Sequence, residues 1–283
     1  MKGEVSLELR IKKKGKGVHV RLTLLSLALV TVVGFASPTA SASIFMYDDA
    51  SDLDTETKSE WDASAEIGLL FTSGNTDTET FKAKLNLARD VENWRHKGVI
   101  DYYRSEQKDQ ATGDTILTGD KTFLSAQSNY KFSPESRSSV FVFGSYEEDK
   151  FSGYEYQGTF AVGYGARYRY SEALYADYEV GPGYSINKPI VGGVPQEQES
   201  SAILRLAGNL VWDISKNSKF NALASTEVGE ENTKTRAEVS ISANVNSSLA
   251  LKFSVAGSHN SYLEDESKEK LDTETAVTLV YSF

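Results

Sequence analysis

The sequence predicts an all-β protein, a transmembrane antiparallel up-and-down β-barrel of about 12 strands, and three observations carry that expectation. The first is a period of two. In residues 154–170 (YEYQGTFAVGYGARYRY), Tyr154, Tyr156, Gly158, Phe160, Val162, Tyr164, Ala166, Tyr168 and Tyr170 alternate with Glu155, Gln157, Thr159, Arg167 and Arg169. Such spacing puts one apolar face, aromatic at both ends, against one charged face, as lipid outside and a polar lumen inside require. The second is the connections, tight near 92, 134, 171, 216 and 247 but longer and more polar near 110, 150, 192, 232 and 266; only the first, near 75, is short on the long-loop side. The third is that Trp61, Trp94 and Trp212 all fall beside tight-turn ends on the apolar face, where an aromatic girdle sits. A soluble sandwich also has alternating strands, but it explains neither the loops nor the tryptophans.

Composition bounds the alternatives. The 283 residues allow one large domain or two small ones, and 40% are apolar. A mean hydropathy of −0.38 argues against helical spans and leaves a half-apolar barrel open. Cysteine is absent, which excludes disulfides, thiolate metal sites, cysteine nucleophiles and a lipid-modified N-terminal cysteine. Residues 1–42 hold seven of the 30 basic and two of the 40 acidic residues, so the remainder carries 23 basic against 38 acidic side chains. That sign disfavours a nucleic-acid partner.

In chain order, residues 1–21 are basic, 22–35 (LTLLSLALVTVVGF) are apolar, and Ala40-Ser41-Ala42 supplies small residues at a signal-peptidase spacing. The apolar run is shorter than the roughly 20 residues of a membrane-spanning helix. Residues 1–42 therefore read as a signal peptide cleaved near Ala42. Residues 43–60 are acidic and aperiodic; they lack the turn glycine and closing glutamate of an EF-hand loop and read as an acidic periplasmic tail. The barrel occupies 61–283. Its first strand carries Trp61, Ala63, Ala65, Ile67, Leu69 and Phe71 outward and turns at 73–77; the second returns with Phe81, Ala83, Leu85 and Leu87. The third presents Trp94, His96, Gly98, Ile100 and Tyr102. A polar loop is expected at 105–119, then a fourth strand with Leu124, Ala126, Tyr130 and Phe132, closed by a turn at 133–136. The fifth is ambiguous, because Val140 and Val142 compete with Phe141 and Phe143 for the outer face. After the stretch at 154–170, Leu174, Ala176, Tyr178 and Val180 form the next outward face, and 186–199 reads as a loop. Four more strands follow, with outward sets that include Leu204, Leu206 and Trp212; Phe220 and Val228; Val239 and Ile241; and Leu251, Phe253 and Val255. The chain ends on Val277, Leu279, Tyr281 and Phe283.

That ending looks like the terminal strand of bacterial outer-membrane proteins, in which a final phenylalanine and alternating apolar residues are read by the barrel assembly machinery. The segments FTSGNTDTET (71–80), EDKFSGY (148–154), GYG (163–165), GPGY (181–184) and the final YSF resemble the YdiY-like family, whose members are labelled salt-induced outer membrane proteins and carry a domain of unknown function. The resemblance covers about 61–283. It implies a barrel in the bacterial outer membrane, in contact with lipid and lipopolysaccharide, and a link to salt or envelope stress; it brings no catalytic constellation.

Catalysis is disfavoured on geometry. His96 follows a tight turn and His259 lies at the opposite end of its strand, so they cannot share a site, and Ser258 and His259 point to opposite faces. No metal site and no cofactor is expected. The inward set is more informative. Lys82, Lys84, Arg95, Asp101, Arg167, Arg169, Asp177, Glu179, Arg205, Asp213, Glu227, Arg236 and Glu238 are the candidate lumen-lining residues. Charges of both signs at this density pair into an ionic network or stay hydrated as a narrow channel for ions or small polar solutes. The acidic run 147–149 and the charged run 264–270 read as solvated loop tips.

Overall fold

The computed structural model describes residues 61–72, 77–108, 112, 114–133 and 136–283. The expected signal peptide, the acidic tail and the first turn at 73–76 lie outside the described residues. The strands are β1 (Trp61–Thr72), β2 (Asp77–Val91), β3 (Trp94–Lys108), β4 (Thr115–Lys131), β5 (Ser138–Asp149), β6 (Tyr154–Ser171), β7 (Leu174–Val191), β8 (Val194–Pro195), β9 (Glu199–Ser215), β10 (Ser218–Gly229), β11 (Thr233–Asn244), β12 (Leu249–Asn260) and β13 (Leu271–Ser282). Each long strand pairs antiparallel with its chain neighbours, and β1 pairs with β13. The two residues of β8 pair only with the end of β7. The wall is therefore a closed barrel of twelve strands, as the alternation predicts.

The barrel is polar inside and apolar outside. On β12, Leu251, Phe253 and Val255 are exposed on the outer face while Ser254 between them is buried. An apolar belt of this extent suits lipid and would be an aggregation surface in water. The aromatic girdle gathers at the termini end of the barrel, where the wall begins, at Trp61, and finishes, at Phe283. Trp94 meets Tyr130 edge-on at 5.2 Å and stacks on His96, Arg89 lies over Trp61 at 5.0 Å, and Tyr281 stacks on Phe283. There, Phe283 and Ala63 exchange backbone hydrogen bonds of 3.0 and 3.3 Å, tying the last residue to the first strand.

The ambiguous β5 is settled by curvature. Val140 and Val142 face outward, whereas Phe141 and Phe143 are buried inside with Ala161, the one apolar cluster of the interior among the described residues. Pairing between β6 and β7 is interrupted from Ala161↔Gly183 to Tyr164↔Val180, and the backbones press together there. A Cβ on Gly181 would lie 2.0 Å from the Val162 carbonyl oxygen, and one on Gly163 would lie 2.3 Å from the Val180 oxygen and 2.9 Å from the Phe141 ring. Glycine is required at this tight corner, and the β5 phenylalanines fill the space that its missing side chains leave.

Three expectations are corrected. Tyr154 is buried, not outward, because a register shift between Tyr154 and Tyr156 turns it inward. The expected loops 105–119 and 186–199 are mostly strand, since β3 runs to Lys108, β4 starts at Thr115, β7 runs to Val191 and β9 starts at Glu199. Polar strand ends that project past the apolar belt read as loops in sequence. The contrast in connection length also shrinks: 150–153 and 230–232 are no longer than 132–137 at the other end.

Candidate functional site

Alternation on twelve strands points the polar set into one lumen, and the charges meet there in three groups. Midway, Lys84 of β2 lies 3.8 Å from Asp101 and 3.6 Å from Glu238, Lys252 lies 2.9 Å from Glu238 and 3.2 Å from Glu66, and the Thr278 hydroxyl donates to Glu66 at 3.4 Å. Lys82 pairs with Glu274 and lies 3.9 Å from Asp101. Towards the end remote from the termini, Glu147 accepts from Lys234 at 2.7 Å and from Arg236 at 3.1 Å, with Lys121 at 3.5 Å. Glu227 lies 3.8 Å from Arg205 and 3.9 Å from Arg236, and accepts from the Thr159 hydroxyl at 2.8 Å. Towards the termini, Arg167 donates two bonds to Asp177, 2.7 and 3.1 Å, and its guanidinium stacks 3.9 Å over Tyr175. Gln127 donates to Glu179 at 2.6 Å, and Asp90 joins Arg95 at 2.6 Å to Lys131 at 2.8 Å.

Several of these contacts cross the barrel. Glu147 stands on β5 and its partners Lys234 and Arg236 on β11, with four strands between them by the shorter way round. Lys84 and Glu238 have three strands between them, and the Arg236 guanidinium lies 5.0 Å over Phe123 on the diametrically opposite β4. Side chains from facing walls can touch only across a narrow lumen. Lys84, Glu66, Glu147, Asp177, Arg205 and Glu227 are accordingly buried. Of the two states open to an interior of mixed charge, the structure holds the paired one.

Of the remaining candidates, Arg169 lies near the termini end of β6, and Asp213 is half exposed beside Lys219 at 3.5 Å. Glu147 is a correction: read as a solvated loop tip, it is the buried centre of the cross-lumen group. The odd run Phe143, Ser145, Glu147 on β5 is the signal that would have found it. Lys234, Asp90 and Gln127 were also absent from the candidate set, because each sits at a strand end or carries no charge. Among the described residues, His96 and His259 lie outside these groups. His96 shares a 2.8 Å hydrogen bond with Ser128 on the outer face near the termini, while at the other end His259 is exposed and Ser258 faces inward. No group of three or more His, Cys, Asp or Glu suited to a metal occurs among the described residues.

Over the end remote from the termini, the connections pack on one another. Ile190 N–H donates to the Gly153 carbonyl at 2.9 Å, the Tyr154 hydroxyl to the Tyr262 carbonyl at 3.3 Å, and Gly192 N–H to Asp265 at 3.3 Å, around buried Leu263 and Pro189. Hydrogen bonds from the Ser267 hydroxyl, the Ser267 amide and the Gly192 amide hold the exposed Asp265 carboxyl below the usual carboxylate range.

Comparison with known proteins agrees with the motifs. The family model described as "Protein of unknown function, DUF481" matches residues 65–283. The uncharacterized protein YdiY of Escherichia coli (strain K12) is 23% identical over 254 residues, covering 88% of this chain and 93% of that protein. Among solved structures, the translocator domain of the autotransporter NalP from Neisseria meningitidis is 12% identical with a TM-score of 0.47, over 81% of this chain and 90% of that one. The NanC porin is 9% identical with a TM-score of 0.46, over 78% and 98%. At these identities the likeness concerns fold alone.

Proposed function

The chain belongs to the DUF481 family, and for it we propose the role of a narrow outer-membrane channel for ions or small polar solutes that rests closed. The observation that carries this reading is the Glu147 hub, where Lys234 and Arg236 reach one carboxylate from the facing wall. A purely structural interior gains more from apolar packing than from buried ion pairs. Closure by charged side chains keeps a route that hydrates when the pairs part. Vesicles reconstituted with the refolded mature protein test it: Glu147→Gln is expected to raise ion and small-sugar flux above a low wild-type rate. Vesicles that stay tight with both proteins favour the second reading, a non-conducting structural or surface-binding barrel, for which the burial of Lys84, Glu147 and Asp177 speaks.

The same reading sets the protein in the outer membrane as a precursor cleaved near Ala42, with residues 43–60 and the termini end of the barrel in the periplasm; N-terminal sequencing of the mature protein tests the cleavage. Lipid and lipopolysaccharide surround the belt. The assembly machinery reads Val277, Leu279, Tyr281 and Phe283, so removal of Phe283 should lower the amount of folded barrel. Catalysis, a cofactor and nucleic acid have no part in it. A link to salt or envelope stress comes with the family resemblance, and a deletion strain that grows normally in high salt would count against it.

A further inference from the structure

The seam that closes the barrel is incomplete. Paired positions between β1 and β13 run from Ser64↔Ser282 to Ile67↔Leu279 and stop, although both strands continue. Beyond that point β1 stays paired with β2 as far as Thr72↔Thr78, and β13 with β12 as far as His259↔Leu271. Two strand edges therefore face each other without a ladder over the half of the seam remote from the termini. Unpaired backbone in hydrocarbon is expensive, and barrels ordinarily close every edge. The side chains at this gap are apolar and open. Leu69 and Leu70 are consecutive, so they point to opposite faces of β1, yet both are exposed (59% and 56%), as are Val277, opposite Leu69 in the continued register, and Leu271 further along β13.

The inner rim is acidic. Asp272 and Glu274 take the inward parity of buried Thr278 on β13. Lys82 reaches Glu274 across β1 because Gly68 leaves no side chain in the way; a Cβ there would lie 2.9 Å from Thr278 Cγ2. Lys82 also has Asp101 at 3.9 Å on its other side. Glu66, Asp101, Glu238 and Glu274 outnumber Lys82, Lys84 and Lys252 by one in this linked group, so one further cation would balance it.

We propose that the open half of the β1–β13 seam is a lateral port between membrane and lumen that admits a cationic amphiphile, an alkyl chain bearing an ammonium head. The chain stays in lipid against Leu69, Leu271 and Val277 on the outer face, and the head passes Leu70 on the inner one. The head takes Glu274 and Asp272, and Lys82 keeps Asp101, so each cation retains a carboxylate. This route is distinct from conduction along the barrel axis and stands whether or not the axial path opens.

The test measures binding of dodecylammonium by the full mature protein in phosphatidylcholine vesicles, with butylammonium and dodecyl sulfate as controls. Dodecylammonium should bind saturably and at least about tenfold more tightly than either control, as a charge-assisted hydrogen bond plus chain burial implies. Glu274→Gln with Asp272→Asn should remove that advantage. The chain has no cysteine, so Leu70→Cys with Ala276→Cys places one staple across the gap. Binding should be lost in the oxidised form and restored on reduction, with the reduced chain as the folded control. If this pair resists oxidation while Ser64→Cys with Ser282→Cys is oxidised readily, the edges stand apart as proposed. Amide exchange gives an independent reading: residues 69–72 and 272–276 should exchange faster than 63–67 and 279–282. Equal protection along the seam, butylammonium binding as tightly as dodecylammonium, or binding indifferent to the closed staple would each overturn the port.

Discussion

Replacing Glu147 by Gln removes the charge on which the cross-lumen group converges while keeping the size and the acceptor oxygen. Lys234 then keeps its contact with the Gln157 oxygen, and Arg236 keeps Glu227 at 3.9 Å, but both lose their closest carboxylate. Glu147, Lys234 and Arg236 have side chains 4%, 6% and 20% exposed, so water offsets little of the loss. For a solvated pair the cost would be about 0.2–1 kcal/mol. For a buried pair broken on one side it is about 3–5 kcal/mol, because the cation left behind stays desolvated. Burial places this group in the second class. Urea unfolding in lipid vesicles, followed by gel mobility and tryptophan fluorescence, should show a lower midpoint at unchanged slope. Adding Lys234→Met should then recover part of the loss, because the stranded charge leaves with it. A loss under about 1 kcal/mol, or strictly additive effects of the two changes, would mean that the hub is hydrated and the closed-lumen account is wrong.

At the tight corner, Gly181→Ala should destabilise the barrel by about 1–3 kcal/mol or more, since the new methyl meets backbone that cannot move aside. Gly98→Ala has no atom within 4 Å of the added Cβ and should be close to neutral in the same unfolding assay. Asp177→Asn should cost about 3–5 kcal/mol by stranding Arg167, and replacing both residues with leucine should cost less than Asp177→Asn alone. Asp265 has a depressed pKa in the folded state, so its bonds from Gly192 and Ser267 contribute fully above the ordinary aspartate pKa of about 3.9 and are lost as pH falls through the lower folded value. Amide exchange at Gly192 and Ser267 should therefore speed up at acid pH in the wild type and be insensitive to pH in Asp265→Asn, once the intrinsic rate is divided out.

How much of this was legible in sequence depended on what each feature needs. Strand faces were legible because lipid and lumen impose opposite polarity at every second residue, as in Leu251, Phe253 and Val255 against Ser254. The face of β5 was not, because both of its faces are apolar and the choice was made by glycines 20 to 40 positions away in β6 and β7. Tyr154 broke parity at a bulge that no local residue pattern announced. The ends of β3 and β7 looked like loops because polarity, not backbone pairing, changes where a strand leaves the apolar belt. Candidate lumen residues could be named from parity, but their partners could not. Glu147 meets Lys234 and Arg236 through the shape of the closed cross-section, which twelve separately read strands do not contain.

Single-channel recording of the refolded mature protein in planar bilayers, wild type against Glu147→Gln, tests the central claim most directly. A lumen closed by cross-barrel ion pairs predicts a wild type that is silent or opens rarely in small steps, and a variant with frequent, longer openings. A wild type that conducts steadily, or two proteins equally silent once folding is verified by heat-modifiable mobility, would contradict it.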